Sequence, residues 1–183
     1  MVWNDENLIK ILKGGGVAIM PTDTIYGIVG QAQNISTVNR IYNLKKREPK
    51  KPCIILISDI NELKKFSIII SEEQKNVIKI FLIPTSFILD CLDDSLEYLH
   101  RGTKTLAFRV PAPQELRNLL LKVGPLIAPS ANPEGLPPAK NISEAQRYFG
   151  DSVDLYVDGG EINGKHSKLI KLHKDGTVNI LRP

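Results

Sequence analysis

The stretch Gly14-Gly15-Gly16-Val17-Ala18-Ile19-Met20-Pro21 constrains this chain more than any other. Three glycines open it, an unbroken apolar run follows, and a proline stops it. An apolar run this short reads as a strand covered on both faces, as at the centre of a sheet layered by helices. Pro21 has no N–H to give a central ladder, so regular pairing is expected to end there. Thr22, Asp23 and Thr24 come next, before an aromatic and a glycine at Tyr26 and Gly27. Two hydroxyls and a carboxylate thereby stand at the carboxyl end of a buried strand, where open α/β sheets bind ligands. The competing reading is that Thr22 and Asp23 only make a turn or a cap. The residues alone weight the two equally.

The rest of the chain alternates in the same manner. Asn4 or Asp5 can cap a first helix carrying Leu8, Ile9 and Leu12, with Gly14 to end it. Ser36 predicts the N-cap of a second helix that runs through Lys45. Pro49 and Pro52 keep that helix from continuing. Short apolar runs at 53–57, 87–89, 106–110, 126–128, 155–157, 169–172 and 178–181 read as strands, and 66–70 as either a strand or a connection between helices. Asp59 with Glu62, Ser71 with Gln74 and Ser143 with Gln146 have the spacing of capping boxes. Residues 114–123 repeat apolar side chains at helical spacing, and the Pro- and Gly-rich 133–138 should be an irregular surface loop. Strands alternating with helices predict a single α/β domain with a mixed sheet, the last two strands forming an antiparallel edge.

Composition narrows the function classes. The net charge of +4 and pI of about 9.0 permit attraction to phosphates or nucleic acid without requiring it. No run approaches the roughly 20 apolar residues of a membrane span. Asn4, Asp5, Glu6 and Lys10 break up any signal-peptide anatomy, so a cytoplasmic protein is expected. Cys53 and Cys91 lie in or beside apolar runs and read as reduced core thiols. His100, His166 and His173 share no metal-ligand spacing with them, so no structural metal is expected.

Several clusters are candidates for chemistry. The run from Lys45 to Lys51 holds five positive charges in seven residues, between a helix end and a buried strand. Lys45 and Arg47 can converge there on a polyanion, Arg as a fork and Lys as a point charge. A solvated face is the equally weighted alternative. Arg109 sits at the end of an apolar strand and needs an anionic partner, either an internal Asp or a ligand carboxylate. Ser130 and Asn132 follow Pro129 at another strand end. The stretch from Gly159 to His166 differs from a phosphate-binding P-loop by one residue. His166 replaces the hydroxyl residue, however, and a strand rather than a helix follows, so a glycine-rich hairpin is expected. No Ser-His-Asp or Cys-His arrangement and no G-x-S-x-G elbow is present. The candidates bind phosphate and carboxylate, which suits chemistry driven by positioning and charge neutralisation.

Taken together, Pro21-Thr22-Asp23-Thr24-Ile25-Tyr26-Gly27, Lys45-Lys46-Arg47 leading to Lys51-Pro52, Phe108-Arg109-Val110-Pro111 and Ala128-Pro129-Ser130-Ala131-Asn132 resemble the YrdC-type family in content and order. Asp158-Gly159-Gly160, Ser167 and Leu181-Arg182 fit as well. The resemblance covers essentially the whole chain and implies the short form, one YrdC-like domain over 1–183. It implies a twisted α/β sheet with an open, positively charged cleft. The implied activity is L-threonylcarbamoyladenylate synthesis from L-threonine, bicarbonate and ATP, with Mg²⁺ accompanying the ATP. Other proteins, tRNA threonylcarbamoyltransferases, would then consume the product.

By position, Thr24, Arg109, Ala128 and Ser167 are implied threonine contacts. Lys45, Arg47, Thr105, Ser130, Asn132 and Arg182 are implied for ATP, with Lys45 and Arg47 closest to the chemistry. Asp23 receives no role beyond capping a turn. The chain departs from the family at Leu56, where many members have His, at Ile83-Pro84-Thr85, at Glu134-Gly135 and at Lys168. An RNA-binding YrdC-like protein, or a branch with another carbamoyl-type reaction, is the alternative. A hydrogenase-maturation carbamoyltransferase is disfavoured, because acylphosphatase-like and zinc-finger segments are lacking.

Overall fold

In a computed structural model describing residues 2–81 and 84–183, nine strands form one mixed, twisted sheet in the order β7-β1-β2-β6-β3-β5-β4-β8-β9. The strands are β1 (Ala18–Pro21), β2 (Tyr26–Gln31), β3 (Ile54–Leu56), β4 (Thr85–Asp90), β5 (Thr105–Arg109), β6 (Leu126–Ile127), β7 (Leu155–Tyr156), β8 (Lys168–Leu172) and β9 (Val178–Arg182). Six helices accompany them: α1 (Glu6–Lys13), α2 (Ile35–Lys45), α3 (Glu72–Ile80), α4 (Glu97–His100), α5 (Gln114–Val123) and α6 (Ile142–Phe149). Ile83, among the departures named above, lies outside the described residues.

Alternation along the strands assigns each side chain to a layer. Ala18 and Met20 of β1 face α1 and α5, whose Leu8, Leu12, Leu116, Leu119 and Leu120 close one core. Ile19, between them, faces the other layer, where Val38 and Ile41 of α2 and Phe149 of α6 pack with Ile28, Ile55 and Phe108. All of β1 is buried. The double-sided burial expected of Val17 to Met20 is therefore present, and pairing of β1 does end at Pro21, opposite Tyr26.

Tyr26–Gln31 was not anticipated as a strand, since Gly27 and Gly30 dilute its apolar pattern. It pairs antiparallel with β1, so Thr22 to Ile25 form the tip of a hairpin. The caps of two helices also shift. Asn34, not Ser36, caps α2 by accepting from Thr37 N, and Asn141, not Ser143, caps α6 by accepting from Glu144 N. Both segments read Asn-Ile-Ser, and in both the asparagine amide oxygen reaches the N–H three residues on. Ser71 and Gln74 do form a reciprocal capping box. Asp59 caps a 3-10 helix, Ile60–Phe66, rather than an α-helix, and Ser67 ends it in the left-handed region, leaving 68–70 as a connection. The short α4, preceded by a 3-10 turn at Asp94–Leu96, had no sequence signal strong enough to place it.

The stretch from Gly159 to His166 is neither a P-loop nor a hairpin. β7 pairs with β1 near one edge and β8 pairs with β4 near the other, so the chain between them must cross the sheet end as an irregular strap. The expected antiparallel edge is present as β8 and β9. No described helix is long and apolar enough to cross a membrane.

Candidate active site

The polar residues gather at the hairpin tip after β1, at the ends of β5 and β9, and where β4 and β8 begin. Arg109, the last residue of β5, is parallel to β3 and opposes Leu56. Among the described residues its guanidinium has one anionic partner, Asp23 at the hairpin tip. Nε and Nη2 donate to the same oxygen, Oδ1, at 3.2 and 2.9 Å. The two side chains are only 4% and 2% exposed. The other Asp23 oxygen, Oδ2, is buried with no partner among the described residues. Burial lowers the Arg109 pKa, and Asp23 opposes that shift. Asp23 is therefore the internal ion-pair partner that Arg109 required, rather than the cap of its turn.

Thr22 makes the turn. Its hydroxyl donates to Ile25 O at 2.7 Å and accepts from the backbone N–H groups of Thr24 and Ile25. Thr24 instead offers its hydroxyl to Arg109 Nη2 at 3.3 Å. The turn and ligand readings of this tip are thus divided between neighbouring residues.

A polar line runs from Arg109 to the far strands. Arg109 Nη1 lies 3.5 Å from Ser86 Oγ, at the limit of hydrogen bonding. Ser86 Oγ is 2.8 Å from Ser167 Oγ, and Arg182 donates to Ser167 through Nη2 to Oγ at 3.3 Å and Nε to the carbonyl at 2.9 Å. Burial lowers the Arg182 pKa, with the Arg109 charge adding to the effect. Ser86 was not foreseen. Its signal was a small hydroxyl within the apolar strand Thr85–Asp90, which needs a partner when buried.

Beyond Arg182 the line opens into a cleft of about 360 Å³, walled among others by Arg47, Lys51, Thr105, Ser130, His166 and Arg182. Arg47 braces its own loop, donating from Nε to Lys51 O and from Nη2 to Pro52 O. Lys51 pairs with Glu134 at 2.5 Å. Thr105 and Ser130 present their residues to the same cleft. A larger pocket of about 560 Å³, with Ile57, Leu63, Phe87, Phe108 and Val110 in its wall, is mostly apolar and lies on the opposite face of the sheet, because Phe87 and Phe108 alternate with Ser86 and Arg109 along their strands. Arg47, Lys51 and Arg182 line the smaller cleft.

Two expected contacts, Lys45 and Asn132, face elsewhere. Lys45 is 1% exposed, and its ammonium donates to Ser130 O and Asn132 O, both at 2.5 Å, and to Asn132 Oδ1 at 3.4 Å. Burial, followed by the Arg47 charge, lowers its pKa to about 8. Asn132 turns its amide inward to Pro133 O and Leu136 O. Ala128 is buried, its N–H donating to Ile54 O. Lys45 and Asn132 thus hold the Ser130 loop in place from behind, with Ser130 on the cleft wall.

The family that matches residues 10–183 is Sua5_yciO_yrdC, described as "Telomere recombination". The chain belongs to this family. A threonylcarbamoyl-AMP synthase of Pseudomonas fluorescens is 28% identical over 99% of this chain and 97% of its own length. The Bacillus subtilis threonylcarbamoyl-AMP synthase is 31% identical over 98% of this chain. Sua5 of Pyrococcus abyssi, whose structure was solved in complex with L-threonine, superposes with a TM-score of 0.88 at 28% identity, covering 100% of this chain. This chain spans 54% of the length of each of the last two proteins.

In this Sua5/YciO/YrdC domain the strap closes over the hairpin tip. Tyr26 OH donates to Gly160 O and accepts from Gly159 N, both at 2.8 Å, while Ile162 N donates to Lys140 O. Gly164 passes so close that a Cβ there would stand 1.8 Å from Thr24 O. Gly164→Ala must therefore push the strap off the tip. The expected result is a weakened hold on any ligand at Thr24 and Arg109, with the two cores and the melting temperature little changed. Ligand calorimetry beside a thermal melt tests this, and unaltered binding would show that the strap does not cover the site.

Proposed function

We propose that this chain, as one unit over 1–183, is a cytoplasmic L-threonylcarbamoyladenylate synthase. The observation that carries the reading is the continuous line Arg109–Ser86–Ser167–Arg182. It joins a buried guanidinium suited to a substrate carboxylate with a cleft whose wall contains Arg47, Lys51 and Arg182. Threonine would lie at the Arg109 end, beside Thr24, Ser167 and the Ala128 backbone. ATP would lie in the cleft against Arg47, Thr105, Ser130 and Arg182, with Lys45 and Asn132 supporting the Ser130 loop.

The reaction consumes threonine, bicarbonate and ATP and releases threonylcarbamoyl-AMP, pyrophosphate and water. The threonine nitrogen first bonds to the carbon of bicarbonate-derived CO₂ and loses a proton, giving a carbamate. A carbamate oxygen then bonds to the α-phosphorus as the bond to the β-phosphate oxygen breaks. Both partners are anions, so catalysis requires them to be aligned and their repulsion offset. Cations at the two ends of the line are placed for that task. Among the described residues no group of three or more His, Cys, Asp or Glu side chains could hold a metal. In this reading Mg²⁺ travels with ATP, ligated by its phosphates and water.

Purified protein incubated with threonine, bicarbonate and Mg-ATP should release pyrophosphate and form the labile adenylate. No threonine-dependent pyrophosphate release would sink the assignment. The product would pass to a tRNA threonylcarbamoyltransferase. Direct RNA binding, the alternative reading, would weaken steeply with salt and need neither ATP nor threonine.

A further inference from the structure

Asp23 has an acceptor that the internal ion pair leaves unused. Both guanidinium contacts go to Oδ1, and Oδ2 is buried without a partner among the described residues. A buried carboxylate oxygen left without a donor is costly, and this one lies at a hairpin tip beneath the strap. The unused donor capacity of Arg109 is on the opposite edge. Nη1 has only the 3.5 Å approach to Ser86, and Nη2 a 3.3 Å contact to the Thr24 hydroxyl. The pair is thus a buried dipole, with a free negative pole on Asp23 and a free positive edge on Arg109.

A dipole of this kind is complementary to an amino-acid zwitterion. A lone carboxylate arriving at Arg109 would leave two negative groups around one buried cation. An α-ammonium arriving with it restores neutrality if it meets Asp23 Oδ2. We propose that Asp23 is a substrate-positioning and specificity residue that receives the α-amino group of the amino-acid substrate on Oδ2, while Arg109 takes the carboxylate. This rests on the assignment of the Arg109 end as the threonine pocket. It adds a selectivity that Arg109 and hydroxyls do not supply, namely rejection of hydroxy acids that share the carboxylate and lack the amine. Such rejection follows because the hydroxy acid leaves the negative pole without a charged partner.

The test compares L-threonine with (2S,3R)-2,3-dihydroxybutanoate, in which a hydroxyl replaces the amine. Calorimetric affinities are measured for both on the full chain and on Asp23→Asn, which keeps an acceptor for Arg109 and removes the charge. Wild type should prefer threonine by roughly ten- to a hundredfold. Asp23→Asn should lose most of that preference, by weakening threonine and sparing the hydroxy acid. ATP affinity controls for folding, because loss of the buried ion pair by itself lowers the melting temperature, and Asp23→Ala gives a second variant if the asparagine amide disturbs Arg109. A structural role alone would weaken both ligands together and leave their ratio unchanged, which overturns the proposal. So does full retention of threonine affinity in Asp23→Asn. If wild type binds no threonine at all, the functional assignment itself falls and this proposal with it. Threonine binding by wild type with an unchanged ratio sinks the proposal alone.

Discussion

Arg109→Ala is expected to lower stability and to weaken threonine binding severely, by two separable routes. In the folded protein the guanidinium and Asp23 neutralise each other at 2.9 Å with side chains 4% and 2% exposed. Removing one member of a buried pair leaves the other as an uncompensated charge, which costs about 3–5 kcal/mol. For a chain of this length that corresponds to a fall in melting temperature of roughly 10 °C. Loss of the carboxylate-binding fork should separately weaken threonine by about a hundredfold or more.

A second substitution distinguishes the routes. Asp23→Asn in the Arg109→Ala background removes the orphaned charge, so most of the lost stability should return while threonine binding does not. Two independent sites would instead add their costs. Additive destabilisation in thermal melts would mean that the ion pair does not dominate the energetics here. Normal threonine affinity in Arg109→Ala would remove Arg109 from the substrate pocket.

The contrast between Arg109 and Asp23 shows what could be inferred before the fold was known. A guanidinium ending an apolar strand announces a need for an anion from its neighbours in sequence alone. Its partner lies 86 residues away, on a hairpin tip whose own residues read equally well as a turn. The tip itself exists only through the pairing of β1 with β2, obscured by the glycines of Tyr26–Gln31, and β6 and β3 lie between that hairpin and β5 in the sheet. Ser86 was obscured for a related reason, because its partner Ser167 lies 81 residues later, just before β8. Helices with strong local signals were much easier to place: α5 occupies Gln114–Val123 as its apolar spacing required. Caps were less secure where Asn and Ser stood two residues apart, since either can accept the same first-turn N–H groups. The strap across the sheet end was unreadable locally, because its path is dictated by which strands β7 and β8 join.

Lys45 carries the other large effect, and the prediction concerns pH. Its helical position at the head of a basic run suggested a phosphate contact. The structure directs its ammonium to Ser130 O, Asn132 O and Asn132 Oδ1, with 1% exposure, so its first effect is on the shape of the cleft wall. Burial lowers its pKa from 10.5 to about 8. Between those two values the unfolded chain holds a proton on Lys45 that the folded chain has released, so this residue makes stability rise with pH across that window. The full rise is on the order of 3 kcal/mol. Cys53 and Tyr42, whose pKa values burial raises, act in the opposite direction as pH climbs past their unfolded values. The Lys45 contribution is therefore best read as a difference between wild type and Lys45→Met. That difference should grow in favour of wild type from pH 8 to 10.5 in denaturant titrations. At neutral pH Lys45→Met should also loosen the Ser130 loop by leaving its carbonyls without their donor, weakening ATP binding without altering threonine affinity. A pH-independent stability difference would mean that Lys45 keeps an ordinary pKa in the fold. Equal losses of ATP and threonine would mean that its loss disturbs more than the loop it supports.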